Sequence, residues 1–259
     1  MVNLKEFVGL DIRFDDCNYG LIFDKDPAAV EPAARTISQM QEVLTDEIID
    51  RPQELYFMYR DIFCQKDRAL LKKYKLRFDI TIIKPDRLGR EFMKTQGHYH
   101  PKMYPELYEV VFGEAICLQQ RPDKNDFTKI KEVIAVKARQ GQKILCLPGC
   151  GHILINPSDK PLITSNWVSS EFSSEYELYK KARGAAYYAL QGKKGVIWQK
   201  NNFYNELPEI TFLVPNDDIK EFGLKTGTPM YSLVNGSLEK IDFLNNPEKY
   251  KYDNAFRKQ

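Results

Sequence analysis

From Phe92 to Trp167 the sequence is cut into short apolar stretches by glycine and proline. Turn residues stand at Arg121-Pro122-Asp123, Gln140-Gly141, Pro148-Gly149 and Pro157-Ser158-Asp159. The stretches between, at 106–112, 115–119, 132–137, 143–147, 152–155 and 162–167, are too short for stable helices. Regular short strands with this punctuation restrict the chain to an all-β barrel or sandwich. Just upstream, Leu76, Phe78, Ile80 and Ile82 alternate with Arg77, Asp79 and Thr81. That period of two belongs to a strand with one apolar and one polar face.

Around this block the pattern changes. The first thirty residues read as irregular. Positions 33–45 carry helix spacing, with Ile37, Met40, Val43 and Leu44 on one face. A strand is expected at 54–60, helical turns at 67–74 and 175–182, and a hairpin from 185–190 and 195–199. Beyond Pro208 the chain is polar and rich in Asn and Lys, with a short helix expected at 217–222. The division expected is one β-rich domain over 1–204 and a mixed C-terminal extension over 205–259 to which the sequence assigns no chemistry.

Composition narrows the function. With 259 residues and 43% hydrophobic content the chain buries a sizeable core and is too apolar to be disordered. Lys+Arg (38) and Asp+Glu (36) nearly balance, which gives no electrostatic case for nucleic acid. No apolar run reaches the roughly 18 residues of a membrane helix, and the start Met1-Val2-Asn3-Leu4-Lys5-Glu6 lacks a signal-peptide core. A cytoplasmic home is therefore expected. The five cysteines form no CxxC pair and fit reduced thiols. Only three histidines are present, so any metal site must draw on His98, His100 and His152.

Two of them stand at i and i+2 in Gly97-His98-Tyr99-His100, which on an extended chain puts both imidazoles on one face. Glu106 follows, with Tyr108 on the same strand face, and the third histidine closes Pro148-Gly149-Cys150-Gly151-His152. A lone strand histidine is commonly structural. Three imidazoles and a carboxylate at spacings that suit one barrel interior instead fit one divalent ion, Fe²⁺, Mn²⁺, Ni²⁺ or Zn²⁺. Cys150 offers a competing thiolate, although its turn setting also suits a plain small residue.

The spacing resembles the cupins, whose first motif is G, HxH, E and G and whose second is G, P, G, H and N. Glu106 precedes Gly113 as in the first motif, and Gly141, Gly149, His152 and Asn156 sit at the offsets of the second. The His100-to-Glu106 gap is slightly long, and Pro148 comes one place late. Within that frame Thr95-Gln96-Gly97-His98-Tyr99-His100, followed by Glu106-Leu107-Tyr108, is similar to the TxGHxH…ExY signature of the cupin-type glucose-6-phosphate isomerases, from about Gln41 to about Asn202.

The resemblance implies a cupin, or double-stranded β-helix (jelly-roll), barrel, here with an N-terminal helix and the mixed C-terminal extension. It implies one divalent metal held by His98, His100, Glu106 and His152, and a homodimer. It also implies a phosphate pocket from Tyr56, Thr81, Thr95 and the Gly97 N–H, with Tyr176 as a further pocket residue. Thr81 lies on the polar face of its strand, but strand threonines also have a purely structural explanation. Tyr56, in an aromatic run with Tyr59, has a core-packing one. Val168 and Ser174 stand where some relatives carry a tyrosine and a histidine near the sugar.

The implied reaction is the aldose–ketose interconversion of D-glucose 6-phosphate and D-fructose 6-phosphate, with hydroxyls and amides holding the phosphate without a basic cluster. Glu106 is the candidate base, moving a proton through a cis-enediol, with Tyr108 positioning a sugar hydroxyl. A direct hydride shift is the alternative route. Another sugar-phosphate isomerase, a metal-dependent oxygenase, or a non-catalytic sugar-phosphate sensor on the same barrel are the other readings.

Overall fold

The computed structural model describes residues 1–46 and 49–259. The alternating segment forms the Leu76–Ile83 strand near the middle of a six-stranded antiparallel sheet. Its order is Lys143–Cys146, Glu106–Phe112, Leu162–Ser169, Leu76–Ile83, Glu54–Tyr59 and Ala33–Thr36. A five-stranded sheet faces it, in the order Gly151–Ile155, Glu114–Pro122, Ile130–Arg139, Thr211–Pro215 and Phe256–Lys258. Contacts cross the gap between the sheets: Cys117 Sγ lies 3.7 Å from Cys146 Sγ, and Gln119 Nε2 donates to the Leu145 carbonyl at 2.9 Å. The two sheets face each other as a jelly-roll, with one apolar core between them.

The alternation is used in an unusual sense. The polar face, Arg77, Asp79 and Thr81, turns into the barrel and lines its cavity. The apolar face turns outward and is buried in a second core, where Leu76, Phe78, Ile80 and Ile82 meet Leu238, Ile241, Phe243 and Leu244. Each such side chain contributes about 1.5–3 kcal/mol when fully buried. The Trp167 indole N–H donates to the Met230 carbonyl at 3.0 Å, and the Phe78 ring packs at a tilt of 55° on Trp167, 4.7 Å between centroids. The segment from 205 onward thus covers the outer face of the sheet. It also supplies Thr211–Pro215, which runs parallel to Ile130–Arg139, and Phe256–Lys258.

Three local expectations are corrected. The first thirty residues are not irregular: Val2–Asn3, Ile12–Asp15 and Gly20–Phe23 form a three-stranded sheet. The helix expected at 33–45 begins late. Ala33–Thr36 is an edge strand, and Thr36 then caps a short helix, Ile37–Met40, through a reciprocal Thr36–Gln39 capping box. The helix expected at 217–222 is a two-residue strand, Asp218–Ile219, followed by a single 3-10 turn, Lys220–Phe222, ended by left-handed Gly223.

Candidate active site

Two glycines set the histidines in place. Gly97 has φ +82°, and a Cβ there would stand 2.5 Å from Ile153 Cγ2 and 2.7 Å from the Tyr179 ring. A Cβ on Gly151 would meet the Tyr99 ring at 2.5 Å. With both side chains absent, His98 and His152 pair directly: each backbone N–H donates to the other's carbonyl, at 3.3 and 3.1 Å. Their rings lie 4.4 Å apart between centroids.

The structure brings His98, His100, Glu106 and His152 together, with one ligand atom of each lying within 4.8 Å of all the others. Glu106 Oε2 is the point of convergence, 3.0 Å from His152 Nε2, 3.5 Å from His100 Nε2 and 3.7 Å from His98 Nε2. Its other oxygen accepts a 2.7 Å bond from the Asn166 amide. His100 is oriented from behind, its Nδ1 lying 2.9 Å from the Tyr104 carbonyl. His152 Nδ1 is buried without a partner among the described residues.

Burial lowers the pKa of His98 and takes His100 down to about 3, so both imidazoles are neutral and each has a ring nitrogen able to act as a ligand. Burial opposes the charge of Glu106 too, but hydrogen bonds from His152 and His98 outweigh it and hold the carboxyl well below its usual range. Neutral nitrogens and one anionic oxygen, converging from two sheets and steadied from behind, are a donor set that fits a divalent transition ion. Cys150 is not part of the cluster.

Next to the cluster is a cavity of about 70 Å³ lined by Tyr56, Thr81, Thr95, Gly97, Tyr108 and Tyr176 as well as His98 and Glu106. The Thr95 hydroxyl accepts from the Leu154 N–H at 3.0 Å. The Tyr56 hydroxyl accepts from the Gln96 N–H at 3.1 Å and from Arg35 Nε at 3.2 Å, which leaves its own proton available. The Thr81 hydroxyl and the Gly97 N–H make no hydrogen bond to another described residue. Burial raises the pKa of Tyr108 well above the usual phenol value, so it is a neutral donor.

Sequence reasoning missed Arg35, Arg60, Asn166 and the inward role of Arg77 and Asp79. Arg60 and Arg77 line the cavity, and Arg35 lies over the Tyr56 and Tyr176 rings, 6.0 and 5.4 Å from their centroids. Arg60 and Arg77 give the cavity wall positive charge that the motifs did not indicate. Counting inward positions from Tyr56, Tyr56-Phe57-Met58-Tyr59-Arg60, was the signal available for Arg60. Asn166 required knowledge of register, which pairs it with Asp79 on one side and Tyr108 on the other.

Comparison with known proteins bears on this site. The chain is 32% identical over 93 residues to the glucose-6-phosphate isomerase of Thermococcus litoralis, covering 36% of this chain and 45% of that protein. The chain thus spans less than half the length of this relative. Against that of Pyrococcus abyssi the identity is 31% over 163 residues, covering 61% of this chain and 77% of the relative. Among solved structures, an oxalate decarboxylase of Bacillus subtilis is similar at 13% identity and a TM-score of 0.35, over 58% of this chain and 33% of that one, too slight a likeness to carry an argument. The family model described as glucose-6-phosphate isomerase (GPI) matches residues 29–206, the stretch that holds every residue of the cluster and its cavity, and the chain belongs to that family.

Proposed function

We propose that this chain is a metal-dependent glucose-6-phosphate isomerase, interconverting D-glucose 6-phosphate and D-fructose 6-phosphate. The observation that supports this best is a polarity laid out along the barrel. Thr81 and Arg77 lie four residues apart on one strand face, about 13 Å at the usual rise. Arg77 is level with Glu106 through the pairings Arg77↔Val168 and Val168↔Glu106. Hydroxyls and the Gly97 N–H at the Thr81 end suit a phosphate, and the histidine–glutamate cluster at the other end suits the reacting carbons.

His98, His100, Glu106 and His152 would hold a divalent ion, which would supply Lewis acidity to the sugar's carbonyl and hydroxyl oxygens. The chain's own groups do the rest. Thr81, Thr95, Tyr56 and the Gly97 N–H anchor the phosphate, and Tyr176 borders the entrance. Tyr108, kept protonated by burial, donates to a sugar hydroxyl. Glu106, anionic and held by Asn166, moves the proton between C1 and C2 through a cis-enediol. The same reading carries a homodimer in the cytoplasm serving glycolysis and gluconeogenesis.

The test is a coupled assay of protein stripped and then reloaded with Fe²⁺, Mn²⁺, Ni²⁺ or Zn²⁺, against the 6-phosphates of glucose, fructose and mannose. Turnover of glucose 6-phosphate that vanishes on stripping and returns on reloading is the expected result. Inactivity on all three under every metal overturns it.

A further inference from the structure

We propose that Arg60, with Arg77 beside it, forms a second anion subsite past the histidine–glutamate cluster, for a sugar phosphate that bears a further anionic group at its C1 end. The inference rests on the reading above, because it takes its orientation from a phosphate at the Thr81 end.

A separate cavity of about 190 Å³ opens on the far side of Glu106 and His100. Arg60, Arg77, Val168, Phe172, Ser174 and Tyr176 line it. It communicates with the first cavity, since Arg60, Arg77, Glu106, Ser174 and Tyr176 border both. Val168 and Ser174, the two positions that depart from the bulkier pattern noted in the sequence, are both in its wall. Their small side chains leave space beyond the place where C1 of the sugar would lie.

The two arginines differ in how they are held. Arg77 is fixed: its Nε lies 2.9 and 3.0 Å from the two oxygens of buried Asp79, and its Nη2 2.9 Å from one of them. Asp79 is held in turn by the Asp61 N–H at 2.9 Å. Arg60 has no carboxylate within ion-pair distance among the described residues; its Nη2 contacts only the thioether of Met58, at 3.3 Å. A guanidinium is a planar fork suited to a carboxylate or phosphate, and one without a counter-ion at a cavity wall is available for a ligand anion.

The local charge agrees. With Arg77 neutralised by Asp79, Glu106 balances only half of a bound divalent ion, and Arg60 adds a further unbalanced positive charge. A sugar phosphate whose C1 end is uncharged leaves this charge unmet. An anion at C1, either a second phosphate or a carboxylate, meets it.

The experiment is calorimetric titration of the protein, metal-stripped and Mn²⁺-loaded, with fructose 6-phosphate, fructose 1,6-bisphosphate and 6-phosphogluconate. At least one of the two ligands with a second anionic group is expected to bind about tenfold or more tighter than fructose 6-phosphate. Which one gains identifies the anion. The stripped arm removes simple chelation as the cause. Arg60→Gln, an exposed position whose change leaves the Arg77–Asp79 pair intact, is expected to bring the affinity ratio to about one. Fructose 6-phosphate binding with no advantage for either ligand that has a second anionic group, or an advantage that survives Arg60→Gln, overturns the second subsite alone. Binding of none of the three overturns the isomerase reading along with it.

Discussion

His152 Nε2 stands 3.0 Å from Glu106 Oε2, and the two residues belong to opposite sheets of the barrel. The cluster is thus a tie across the fold as well as a ligand set. Glu106→Gln keeps the shape but removes the anionic donor and the base. Both metal content after dialysis, by elemental analysis, and turnover are expected to fall, the latter by about 10²–10⁴-fold. Wild-type activity in this variant would falsify the role given to Glu106.

Asn166 touches no imidazole but donates to Glu106 Oε1 at 2.7 Å, which aims Oε2 at the histidines. Partners of this kind commonly cost 10–100-fold in metal affinity or activity when removed. Asn166→Ala is expected to lower metal affinity by roughly that much while the fold persists. A competition titration with a chelating dye measures it, and unchanged affinity means the carboxylate is oriented without the amide.

Running the isomerisation in deuterium oxide addresses the role of Glu106 as a proton carrier. Product isolated at early conversion is expected to carry deuterium at C1 or C2, seen by proton NMR. Absence of solvent deuterium at low conversion points instead to hydrogen passing directly between the two carbons.

Much of the site was legible because it is written in local spacing. His98 and His100 share a face at i, i+2, and Glu106 and Tyr108 do the same on a strand whose neighbours alternate. The barrel strands were legible for the same reason. Other features depend on contacts remote in sequence. The alternation of Leu76–Ile83 says that two faces differ but not which one turns inward. That depends on residues 219–255 covering the apolar face, and so Arg77 and Asp79 were not placed in the cavity. Asn166 meets Glu106 through strand register, which no motif encodes. The strands before residue 24 are at most four residues long, too short for alternation to register. The Thr36–Gln39 capping box was readable and would have set the helix start at Ile37.

The C-terminal segment is fastened to the barrel by a buried charge. Lys143 Nζ donates to Glu109 Oε1 at 2.7 Å and to the carbonyls of Gly141, Lys225 and Thr228 at 3.0, 2.7 and 2.6 Å. Glu109 also accepts the Met230 N–H at 2.9 Å. Lys143→Met leaves the carboxylate uncompensated, and a loss of about 3–5 kcal/mol in urea unfolding is expected. Burial pushes the Glu109 carboxyl up to about 7 despite the lysine. A raised folded-state pKa contributes stability that is fully present below the unfolded value near 4.5 and is lost as pH rises through about 7. Lys143 is pulled down by burial, and its contribution has the opposite sense, present above its ordinary value of 10.5 and lost as pH falls through the lowered one. Between pH 5 and 8 the Glu109 effect is the one that changes most. The stability of wild type relative to Glu109→Gln is therefore expected to decline across that interval. A difference that stays flat or grows over the same range means that Glu109 is already ionised at pH 5 and that the lysine outweighs burial.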